Sequence, residues 1–174
     1  MRSAAGPGTE PAIEGLPPAV LAGGGPDGVL WPAAAGATDR GLSAVDRVLA
    51  ERPGGSLADP TCFSALEVWT ECELSALHAL ARIVRLAPAR HRSARLEELV
   101  AWHLEHTQPD NATNRPWAIH VFAARPEAEA RLYAETMLHN VAASDARAEP
   151  LSRWILLDAV HELSLTGAGR RPIP

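Results

Sequence analysis

Read for its apolar and polar positions, the chain divides into a patternless N-terminal stretch and a series of segments of helical periodicity behind it. Between Thr38 or Asp39 and about Glu51, Leu42, Val45, Val48 and Leu49 recur at steps of three and four on one helical face, and Pro53-Gly54-Gly55 ends the segment. A second helix is predicted over roughly Pro60 to Ala87, because Asp59 suits the N-cap, Pro60 suits the first helical position, and no breaker follows until Pro88. Further helices are predicted from Ser93 or earlier to His106, from Pro116 to Arg125, from Pro126 or Glu127 to Ala143, and from Glu149 to Leu165, with Gly167 and Gly169 stopping the last. No segment sustains the two-residue alternation or β-branched enrichment of a strand. The expected fold class is all-α: about six helices in antiparallel hairpins, as an irregular bundle or an α/α-hairpin array. The helical pairs share no fixed period or repeated motif.

Composition separates the arm from the domain. Up to about Ala37 the chain is dominated by Ala, Gly and Pro, and eleven of the 13 glycines occur at or before Gly55. Residues 1–37 are therefore expected to be a disordered arm, residues 38–167 a single helical domain, and residues 168–174 a short C-terminal tail. Two apolar islands, Pro18-Ala19-Val20-Leu21 and Val29-Leu30-Trp31, interrupt the arm, and the simpler reading makes them incidental hydrophobes in a solvated linker.

Charge and cysteine content narrow the function classes. All 16 basic residues are arginine and the net charge is -5, so nothing favours a polyphosphate chain, and no nucleic acid partner is expected. The absence of lysine excludes a Schiff base, a P-loop lysine and a kinase-type lysine. Cys62 and Cys72, both placed on the second predicted helix, would lie about 15 Å apart along its axis and cannot pair with each other. Two reduced thiols, no signal-peptide core and no long apolar stretch give a cytoplasmic location without a membrane partner as the expectation; the oligomeric state is not fixed.

Histidine is the residue type that carries candidate chemistry. On the third predicted helix His103 and His106 continue the apolar line of Leu96 and Leu99, so both imidazoles are expected to point inward. His120 lies in Trp117-Ala118-Ile119-His120-Val121-Phe122, apolar on nearly every side and expected to be buried. His161 follows Asp158 at i,i+3, where the carboxylate could orient the ring. Glu73 shares a face with Leu66, Trp69, Leu77, Leu80 and Val84, a costly place for a carboxylate unless Arg115 or a histidine pairs with it. The loop from Thr107 to Trp117 gathers Asp110, Asn111, Thr113 and Asn114, which suit Asx-turns and helix capping but could also hold a ligand. Two histidines are set aside. His78 belongs to a polar stripe, Glu67, Glu71, Ser75, His78, Arg82 and Arg85, with acids early and bases late, which reads as a solvated face, and His139 is explained by Glu135 and the helix dipole.

Three readings follow. The first is a helical binding or scaffold module that recognises a protein or a small molecule, with His103, His106, Asp110, Asn111, Asn114, His120, Asp158 and His161 as candidate ligand-binding residues and no cofactor. The second places a transition metal or haem among His103, His106, His120 and His161 with Asp158 or Glu73, although the spacing matches no HExxH or paired Glu-x-x-His pattern. The third is a metal-free enzyme with His103 or His161 as general base, for which the sequence offers no nucleophile motif.

Overall fold

The computed structural model describes residues 25–107 and 115–168. Within them lie seven α-helices and no strand: α1 (Pro26–Gly36), α2 (Asp39–Glu51), α3 (Leu66–Leu86), α4 (Arg90–His106), α5 (Ile119–Ala123), α6 (Ala128–Ala143) and α7 (Pro150–Ala168). Short 3-10 turns cover Pro60–Cys62 and Asp145–Ala148. The all-helical expectation holds, and most boundaries fall within a few residues of the punctuation that predicted them. Thr38, for example, caps α2 by accepting from the Gly41 N–H at 3.2 Å.

The expectation of a disordered arm to residue 37 is corrected over its last twelve residues. Pro26 opens α1 at a position where its missing N–H costs nothing, and Leu30, Trp31, Ala33 and Ala34 are buried. This helix packs chiefly on α3 and also on α2. Gly25 allows the close approach, because a Cβ there would sit 2.5 Å from the Cys72 sulfur. Residues 1–24, with the Pro18–Leu21 island, and residues 169–174 lie outside the described residues.

The second predicted helix is also corrected. Asp59 and Pro60 do start a helical turn, with the Asp59 carboxylate accepting from Thr61, but it stops at Cys62 and α3 begins only at Leu66. Cys62 is therefore exposed on a turn while Cys72 is buried on α3. Helix α3 is the hub: its positions from Trp69 to Leu80, Glu71 aside, are buried, so apolar and polar faces alike are covered. One main core gathers Leu30, Trp31, Leu74, Leu77, Leu80, Ile83, Leu99, Trp117, Phe122, Met137 and Ile155. The segment before α3 is fastened to it at three points, since Glu73 accepts from the N–H groups of Leu57 and Ala58 at 2.8 and 2.6 Å, and Trp69 Nε1 donates to the Ala58 carbonyl at 2.9 Å.

Candidate functional site

The middle of the polar stripe of α3, Ser75, His78 and Arg82, is buried and not a solvated face, which corrects the reading of His78, while Glu67 at its start is exposed. Helix α1 covers Ser75, whose hydroxyl accepts from Trp31 Nε1 at 2.9 Å. Helix α7 meets His78, Arg82 and Arg85. His78 is 0% exposed, and its Nε2 lies 2.9 Å from Asp158 Oδ2. The Ala118 N–H points at His78 Nδ1 from 3.1 Å, so that nitrogen accepts and Nε2 carries the hydrogen donated to Asp158. Ala118 reaches this position in a left-handed conformation, φ 57°, that a residue with a Cβ disfavours. Arg82 donates to Asp158 at 2.7 Å and Arg85 grips Glu162 through Nε and Nη2 at 2.7 and 2.9 Å. Burial pushes the Asp158 carboxyl upward, but the hydrogen bond from His78 and the charge of Arg82 outweigh it and leave its pKa below the ordinary value.

His120 stands beside this network without joining it. Its ring meets that of His78 edge to face, with centroids 4.4 Å apart, yet neither of its nitrogens has a hydrogen-bond partner and both are shielded from solvent. Burial, reinforced by the positive charges of Arg82 and Arg85 against the opposing pull of Asp158, holds its pKa well below the usual imidazole value. A neutral imidazole with one donor and one acceptor unused, buried to 7% exposure, carries a desolvation cost of about 1–3 kcal/mol for each group left unsatisfied.

A cavity of about 400 Å³ adjoins this ring. Its wall is shared by α3 (Ala81, Val84, Arg85), α4 (Leu96, Glu97), α5 and the turn after it (His120, Val121, Ala124, Arg125), and α7 (Glu162, Leu163). Two ion pairs border it, Arg85 with Glu162 and Arg125 with Glu97, the latter at 2.6 Å. Arg125 Nε is buried without a partner, so the cavity brings together two residues with unused hydrogen-bonding atoms. Nothing in the sequence pattern marked Arg125.

The other candidates are dispersed. His103 is buried as expected, with Nδ1 3.2 Å from Thr107 Oγ1 and Nε2 3.4 Å from Glu73 Oε1; Thr107 in turn meets the Tyr133 hydroxyl at 2.9 Å. Glu73 is thus answered by two backbone N–H groups with His103 alongside, while Arg115 pairs with Glu71 and Glu149 instead. His106 does not point inward: it is exposed and lies flat on Trp102, with centroids 5.0 Å apart. His161 is exposed too, and its expected partner Asp158 belongs to His78. Asp110, Asn111 and Asn114 lie outside the described residues. Among the described residues, no three His, Cys, Asp or Glu side chains are placed to hold a metal ion.

A second hollow, about 350 Å³ and almost wholly apolar, opens between α6 and α7 over Ile119 and Ala123. It offers shape without directed polar groups. Among the described residues no helix is long and apolar enough to cross a membrane. Comparison with known proteins finds no family model that matches the chain, no similar curated protein and no similar solved structure.

Proposed function

We propose that this protein is a helical binding module that takes a small molecule into the cavity beside His120. The observation that carries the reading is the pairing of a buried, hydrogen-bond-hungry imidazole with an adjoining cavity about 400 Å³ in volume. A protein core ordinarily satisfies such a group or replaces it. Here the neighbouring His78 is fully bonded, so the local architecture is capable of satisfying an imidazole and leaves His120 unsatisfied. The volume is toward the lower end of small-molecule sites, which run from about 300 to 1,000 Å³, and the mixture of apolar wall and few polar groups is their usual chemistry.

Small-molecule recognition is favoured over protein recognition because His120 and its neighbours line a concavity and not an open face. The metal and haem readings draw no support from the placement of the described side chains. The general-base reading, made on His103 or His161, loses the expected Asp158–His161 pair, since Asp158 is bonded to His78. The two unpaired cysteines suit a reducing cytoplasm.

Ala124 is an exposed residue on the cavity wall, so Ala124→Trp obstructs the cavity without entering the core. A fragment library screened by ligand-observed NMR on the full chain should yield binders that the Ala124→Trp variant no longer holds. Binders indifferent to that substitution, or a library without binders, would overturn the proposal.

A further inference from the structure

Helices α6 and α7 leave an apolar face open. Of the seven large hydrophobic side chains that stand exposed among the described residues, five lie on these two helices: Leu132, Leu138, Leu157, Val160 and Leu165. Leu138 and Val160 line the apolar hollow of about 350 Å³ from its α6 and α7 sides, and Leu157, at i,i+3 to Val160, extends the same face. A lone exposed leucine is ordinary, whereas apolar side chains gathered around a hollow mark a surface that another molecule covers. The charges on the α6 wall of the hollow say which. Arg131 and Glu135 lie one turn apart there, both exposed, and among the described residues neither side chain has an ion-pair partner. One cation and one anion offset along a helix are self-complementary, because a two-fold axis across α6 near Ala134 sets each Arg131 against the partner's Glu135. A wholly acidic or wholly basic partner would match one of the two charges and repel the other.

We propose that the face formed by α6 and α7 is the interface of a two-fold homodimer, in which each of these helices crosses its counterpart in a second copy of this chain to make a four-helix layer. Leu138, Leu157 and Val160 leave water at its centre, and two reciprocal pairs of Arg131 with the partner's Glu135 flank them. The helices that bound the face have 16 and 19 residues, so they run about 24 and 28 Å. That length gives a face at the small end of specific interfaces, for which a dissociation constant on the order of 10 µM is expected. The dimer is independent of the ligand reading, because the hollow and the cavity beside His120 share only Leu163 among their wall residues.

Sedimentation velocity on the full chain over a range of concentrations tests the dimer. The unsubstituted chain should pass from monomer to dimer as its concentration rises. Val160→Glu, at an exposed position outside the core, should raise the dissociation constant about tenfold or more while leaving the helical circular dichroism unchanged. Arg131→Glu and Glu135→Arg should each weaken dimerisation, and an equimolar mixture of the two variants should recover it, since one chain then presents two acids to the other's two bases. A full chain that stays monomeric up to about 1 mM would overturn the proposal and leave the face to a different partner or to residues 1–24. A dimer that Val160→Glu leaves intact, or charge variants that do not recover on mixing, would overturn it as well.

Discussion

His120 and His78 meet edge to face with ring centroids 4.4 Å apart, and only His78 is hydrogen-bonded. The asymmetry follows from their neighbours. His78 faces the Asp158 carboxylate on one side and the upturned Ala118 N–H on the other, whereas His120, two residues beyond Ala118, has the His78 ring on one side and lines a cavity. One ring is structural, and the other is left with chemistry to offer.

Protonation of His120 should be visible in the pH dependence of stability. The unfolded chain takes up this proton near the ordinary imidazole pKa of about 6.5, while the native ring resists it to lower pH. The unfolded state thus binds more protons below that value, and stability falls as pH drops through it, by up to about 1.4 kcal/mol per pH unit for one group. Urea denaturation at a series of pH values from 8 down to about 5 should show His120→Gln losing stability less steeply than the unsubstituted chain on the acid side. Parallel curves would mean that the native ring titrates normally.

Asp158→Asn should be severe. It leaves Arg82, itself only 8% exposed at the side chain, with a neutral partner and the more distant Glu162, and it alters the bond that orients His78. Breaking one partner of a buried pair costs on the order of 3–5 kcal/mol, so the midpoint of urea denaturation should drop steeply. His161→Ala, by contrast, should leave the midpoint almost unmoved, because His161 is exposed. Equal effects of the two substitutions would return Asp158 to the local pair that the sequence suggested.

Helix α1 is part of the domain, so a chain that starts at Thr38 should fail to fold to the native core. In the full chain, Trp31→Ala should cost about 3–5 kcal/mol, the range for removing a large buried aromatic, and it also strands the Ser75 hydroxyl. Gly25→Ala should destabilise as well, since the added methyl meets the Cys72 sulfur. A stable domain lacking residues 1–37 would contradict this packing.

The two cysteines should differ sharply in reactivity. Burial, with the Asp27 charge and hydrogen bond adding to it, pushes the Cys72 thiol up to about 12, while Cys62 is exposed on its turn. Iodoacetamide on the native chain should modify Cys62 alone, as read by intact mass, and both thiols after denaturation. Modification of Cys72 under native conditions at the same rate would show that α1 does not stay docked over it.

Much of the helical framework was legible because proline, glycine and capping residues punctuate it. Thr38, Pro53, Pro88 and Pro126 all fall within a few residues of helix ends. Helix α1 escaped because a segment rich in alanine, glycine and proline has the composition of a linker, and its helicity is secured by packing of Leu30 and Trp31 on α3, a long-range term that local propensity does not contain. His78 was misread for the opposite reason. Acids early and bases late suit a solvated helix, yet His78, Arg82 and Arg85 also match Asp158 and Glu162 on α7, a complementarity spaced at three and four residues that lay in the sequence unnoticed. Once Asp158 and Glu162 turn inward, Leu157 and His161 turn outward, which explains an exposed leucine and an unpaired expectation for His161 together. The His120 cavity could not have been read at all, since it depends on how four helices and a turn converge.

If the cavity beside His120 is a ligand site, the ring nitrogens of His120 report on it directly. In a titration of the full chain with a binder from the fragment screen, followed by ¹⁵N NMR of the histidine rings, the His120 resonances should shift to saturation while those of His139 and His161 stay in place, and Ala124→Trp should abolish the shift. Saturable binding that leaves the His120 ring unmoved would contradict it.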